Sequence, residues 1–173
     1  MTTDYIEHQH DKGIEIYHFR QVSRAAIDEF YSIAMPIFKS HVEQYQDNMP
    51  LFYVLDLSES GMFPVKYMMN KALTEMNKFE YRPLHFIAYV IANTQDKMLI
   101  DILSQLSARN LGHTRKIFKP DELDDAITWL HEVRAPFLQN TVTRIQHLSY
   151  KIIAILLESC PHIMKVNYRI IAK

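Results

Sequence analysis

Three glycines in 173 residues leave no room for a glycine-rich phosphate loop. One cysteine, Cys160, excludes an intramolecular disulfide and any paired-cysteine metal site. No long hydrophobic run is present. The longest near the end, residues 152–157, is far too short to span a bilayer. The amino-terminal MTTDYIEHQHDKG is polar and has no apolar signal core, so a cytoplasmic protein without a membrane span is expected. A formal net charge of -1 gives no global field that points to nucleic acid.

What is present suits a globular α/β chain. Hydrophobic residues make up 48% and charged residues 23%, enough for one sizeable core. The charge is uneven, because residues 137–173 carry +4 against -5 for the rest. That split marks the C-terminal part as a separate layer or a partner surface.

Apolar spacing places the elements. GIEIYHFR (13–20) alternates after the turn HDKG, so residues 4–20 read as a hairpin. Ser23 is suited to cap a helix carrying Ile27, Phe30, Tyr31, Ala34, Phe38, Val42 and Tyr45, which Pro36 should kink or split. LFYVLDL (51–57) and LHFIAYVIA (84–92) are continuous apolar runs, expected of strands covered on both faces. Between them Pro64 opens a helix striped with Met68, Met69, Ala72, Leu73 and Met76. A helix with Met98, Leu99, Ile102, Leu103 and Leu106 follows, capped by Asn93 or Thr94. Then come a short strand, TRKIFK (114–119), and a helix opened by Pro120-Asp121 that ends near Pro136. The order ββαβαβαβα argues for a largely parallel sheet, with ligand sites favoured at the C-terminal strand ends. Those ends are 56–61 and 92–95. Beyond the domain, Val142, Ile145, Ser149, Ile152 and Leu156 recur as an amphipathic helix over 141–160, the expected dimerisation element.

Val54-Leu55-Asp56-Leu57-Ser58 at the end of the third strand, with Arg115-Lys116-Ile117-Phe118-Lys119-Pro120-Asp121-Glu122-Leu123 followed by Ala126 and Trp129-Leu130, resembles the STAS family. The closer resemblance is to its SpoIIAA-like branch, related in fold to CRAL-TRIO lipid-binding domains. The likeness covers roughly residues 4–135 and rests on pattern more than on rare residues. It implies a mixed, largely parallel four- to five-stranded sheet with helices mainly on one face, as domain 1–136, followed by a helical extension over 137–173. It also implies a non-enzymatic regulatory or interaction module with a protein partner, acting through the loop and helix after the third strand. The alternative it suggests is a carrier of a lipid or small apolar ligand. In the antagonists of that family, a serine at this helix start is phosphorylated by a partner kinase. Here the matching positions hold Phe63-Pro64-Val65, with no serine among them.

The candidates follow. Asp56, Ser58, Ser60, Phe63 and Thr94 make up the switch or ligand loop, although turn and cap chemistry explains the serines more simply. Tyr67, Met68, Met69 and Met98 are the candidate apolar pocket, against the plainer reading of ordinary core. Arg109 and Arg115 suit an anion site or a solvated surface equally well. His8, His10 and His18 on a hairpin raise a metal site, but no fixed ligand spacing is met. An exposed hairpin edge is the better reading, so neither metal nor cofactor is expected. No catalytic set emerges from spacing.

Overall fold

The computed structural model describes residues 4–21, 23–45, 49–59, 64–79, 84–92 and 113–139. The chain divides into two compact units, Met1–Ala135 and Pro136–Lys173. The amphipathic stretch 141–160 lies outside the described residues.

Five strands form one sheet in the order β1 (Ile6–Asp11), β2 (Ile14–Phe19), β3 (Leu51–Leu57), β4 (His85–Ile91) and β5 (His113–Phe118). The first pair is antiparallel and every later pair parallel. The sequence expectation of a mixed, largely parallel α/β sheet is therefore met. A two-residue turn joins β1 to β2, with Lys12 at φ 45° and Gly13 at φ 86°. Left-handed geometry at both positions matches the right-handed twist of the strands, and glycine takes the second at little cost. The guanidinium of Arg134 also lies where a Gly13 side chain would stand, within 2.6 Å of an added Cβ.

Helix α1 (Arg24–Tyr45) starts as the sequence indicates, with the Ala26 N–H donating to Ser23 Oγ at 3.1 Å. It is not split at Pro36. Pro36 and Ser32, whose carbonyl loses its donor, are both exposed, so water can satisfy that carbonyl. The same holds further on, where residues 123–139 are helical past the expected stop near Pro136. Pro136 and Glu132 are exposed as well. Helix α2 (Val65–Met76) follows Pro64, which stands at its N-cap rather than inside the first turn.

Helices α1 and α2, each lying between parallel neighbours in the chain, pack on one face of the sheet. Their apolar stripes pack on Tyr17, Phe19, Leu55, Leu57, Ile87, Tyr89 and Ile91. Alternation turns Ile14, Ile16, Val54, Ala88, Val90 and Phe118 to the other face. There the helix over 123–139 buries Ala126 and Leu130, and Trp129 packs on Phe118 with ring centroids 6.0 Å apart.

Candidate functional site

Strand register decides which side chains share the face under α1 and α2. Glu15, Tyr53, Ile87 and Arg115 are successive partners across β2 to β5, and His10 extends that row onto β1. The next row holds His8, Tyr17, Leu55, Tyr89 and Ile117. Two rows on the buried face of an α/β sheet thus carry phenols, a carboxylate and a guanidinium where aliphatic residues are usual.

Those rows floor a cavity of about 180 Å³. Phe30, Tyr31, Ala34, Met35 and Phe38 of α1 roof it, and Met68, Ala72, Leu73 and Met76 of α2 close one side. Leu51, Leu55 and Ile87 complete an apolar wall. Leu73 is 48% exposed, so the cavity meets the surface beside α2.

The polar groups of the cavity differ in how they are satisfied. The Tyr53 hydroxyl lies 3.0 Å from His85 Nδ1. Tyr17, Tyr31 and Tyr89 are only 3%, 7% and 4% exposed as whole residues, and their hydroxyls, which open onto the cavity, have no hydrogen-bond partner among the described residues. Burial pushes the phenols of Tyr17, Tyr31, Tyr53 and Tyr89 upward, while the Arg115 guanidinium pulls Tyr53 and Tyr89 the other way. All four therefore stay protonated near neutrality and offer O–H donors. Glu15 is already engaged. Each of its carboxylate oxygens accepts from one imidazole, His8 Nε2 and His10 Nδ1, both at 2.7 Å. His8 also stacks on Tyr17, with centroids 4.8 Å apart.

The candidates read from sequence are dispersed. Met68 lines the cavity. Tyr67 does not; its hydroxyl lies 2.8 Å from both carboxylate oxygens of Asp28, which also pairs with Lys71 Nζ at 2.8 Å. These contacts tie α2 to α1. The side chain of Met69, and Ser60, Phe63, Thr94, Met98 and Arg109, lie outside the described residues. Asp56 is buried on the opposite face of the sheet. Its Oδ2 accepts from Nδ1 of His18, its register partner on β2, at 2.8 Å, and its Oδ1 accepts the Ser58 N–H at 3.0 Å. Burial raises the Asp56 carboxyl, but the bonds from His18 and Ser58 outweigh it and hold the group below its usual value. The bond to Asp56 in turn raises His18 against the effect of burial. Asp56 and Ser58 thus form a turn closed on itself at the strand end.

The three hairpin imidazoles do not converge. His8 and His10 face the cavity side and His18 the other. Among the described residues no three metal-binding side chains form a metal-holding group. Nor is any described helix long and apolar enough to cross a membrane.

Sequence reasoning missed Glu15, Tyr17, Tyr31, Tyr53, His85 and Tyr89, and left Arg115 undecided. One signal was available, because Tyr53 and Tyr89 place phenols inside strands whose other residues, Asp56 and His85 apart, are aliphatic or aromatic hydrocarbon. The chain matches no family model, no curated protein and no solved structure.

Proposed function

We propose that this is a non-enzymatic, STAS-like module that holds one small, mainly apolar molecule between its sheet and helices α1 and α2, and that occupancy is read by a partner through α2. The observation that carries this reading is the apolar cavity of about 180 Å³, on whose lining the hydroxyls of Tyr17, Tyr31 and Tyr89 have no hydrogen-bond partner among the described residues. Hydroxyls that open onto a cavity can bond a molecule that enters it. The volume narrows the ligand. An apolar cavity of about 150 Å³ accepts benzene, so a single ring or short chain fits here and a long-chain lipid does not. Helix α2 is suited to report occupancy, since Met68, Ala72, Leu73 and Met76 line the cavity and Leu73 reaches the surface.

A phospho-switch at Ser58 fits less well. A dianion there would face the Asp56 carboxylate, which already binds the Ser58 backbone, and like charges repel.

Titration with benzyl alcohol, followed on ¹³C-methyl methionine signals, tests the ligand reading. Saturable shifts at Met35, Met68 and Met76, abolished by Ala72→Met, are expected. A linear, non-saturating response, or saturation unaffected by Ala72→Met, contradicts it. Cross-linking of the partner at α2 with and without ligand then tests the readout.

A further inference from the structure

This inference rests on the cavity being a ligand site and assigns the chemistry of its occupant. We infer that the cavity takes a small apolar monocarboxylate, with its head between the Arg115 guanidinium and the hydroxyls of Tyr53 and Tyr89 and its tail against α1 and α2.

Geometry gives the direction. Arg115 stands at the β5 end of the row that begins at His10, two strands from Tyr53. Tyr89 lies one strand over and two residues along, about 8 Å between backbones, within joint reach of a guanidinium and a phenol. Arg115, Tyr53 and Tyr89 all line the same cavity. A guanidinium fork and the Tyr89 O–H match the acceptor oxygens of a carboxylate, joined by the Tyr53 O–H when His85 Nδ1 donates to the Tyr53 oxygen, and charge-assisted bonds are the strong ones. At the other end of the row the carboxylate Glu15 stands about 14 Å away, three strand spacings. His8 and His10 occupy both its oxygens. An anionic head is thus repelled from the β1 end and drawn to the β5 end. Beyond the Tyr17 and Tyr31 hydroxyls and His85, the walls, Phe30, Met35, Met68 and Ile87 among them, offer hydrocarbon, sulfur and ring surface, so the rest of the ligand is mainly apolar. One charge suffices, because no second cation lines the cavity among the described residues.

Isothermal titration with benzoate and hexanoate, each against its alcohol (benzyl alcohol, hexanol), tests the assignment on the intact chain. The acids are expected to bind at least about tenfold tighter, the worth of one charge-assisted hydrogen bond. Whichever acid binds tighter distinguishes a ring from a chain. Arg115→Met should erase the preference for acids. Arg115→Lys, which keeps charge without the fork, and Tyr89→Phe, which keeps the ring, should each reduce it. They serve if Arg115→Met does not fold. Alcohols that bind saturably and as tightly as the acids would overturn the carboxylate assignment and leave the ligand site standing. An acid preference unchanged in both Arg115→Lys and Tyr89→Phe would overturn the placement of the head. No saturable binding by any of the four probes would overturn the inference and the ligand reading together.

Discussion

The two faces of the sheet use the same strands and reach different ends. Toward the helix over 123–139, Ile14, Val54, Ala88 and Val90 are fully buried, and Phe52 stacks on its register partner Phe86 with centroids 5.2 Å apart. Toward α1 and α2, the alternate residues include Glu15, Tyr17, Tyr53, His85, Tyr89 and Arg115 around a cavity. A sequence selected only for stability would fill both faces alike, since voids and unpaired polar groups each cost free energy. The comparison is the reason we propose a ligand site on the α1 and α2 face and a structural role for the other.

Mutations that treat the faces alike should give unlike results. The largest effect is expected at Leu130, fully buried on the filled side. Leu130→Ala should cost about 3–5 kcal/mol in denaturant unfolding. Enlargement divides the faces further. Ala88→Met, on the filled face, should destabilise by about 1–3 kcal/mol through overpacking. Ala72→Met, beside the cavity, should be neutral or slightly stabilising and should block ligand. Equal penalties would erase the distinction.

Hydroxyl deletion sharpens it within the cavity. Tyr53→Phe breaks the contact with His85 and should cost about 1 kcal/mol. Tyr89→Phe removes a hydroxyl with no described partner and should leave stability unchanged or raise it by a few tenths of a kcal/mol. The same melting series reads both.

The smallest effect is a pH dependence of opposite sign at two histidines. His18 is raised, chiefly by its bond to Asp56, so its contribution is complete below about pH 6.5 and fades as pH climbs through the raised value. Asp56 is lowered, so its contribution holds above its ordinary pKa of about 3.9 and is lost as pH falls through the lower folded value. His41 is lowered, chiefly by burial, against its bond to the Met49 carbonyl at 2.7 Å. Its neutral form suits the fold, so it costs stability as pH falls below about 6.5. Urea midpoints between pH 5 and 8 should fall less steeply toward high pH in His18→Gln than in the parent. In His41→Gln they should fall less toward low pH.

Much of the fold was readable because its signals are local. Continuous apolar runs marked β3 and β4, the turn residues Lys12-Gly13 marked the hairpin, and Ser23 marked the start of α1. Pro36 and Pro136 misled because exposure lets a freed carbonyl bond water, and exposure is not written in spacing. The cavity was harder for a geometrical reason. In strands covered on both faces the apolar pattern loses its alternation, so the sequence does not reveal which way Tyr53 or Tyr89 points. Only register places Tyr53 in one row with Glu15 and Arg115. Tyr31 reaches the same space from α1, a contact that no spacing rule predicts. Asp56 drew attention as a carboxylate at a strand end, yet His18 and Ser58 use both its oxygens.

The measurement that bears most directly on the cavity as a ligand site is a crystal structure of protein isolated from cells without added ligand. The account predicts density for a compact apolar molecule between Met68 and Tyr53, with an acceptor group bonded to Arg115 and Tyr89. A closed cavity, in which the hydroxyls of Tyr17, Tyr31 and Tyr89 bond one another and α2 packs against the sheet, would contradict it.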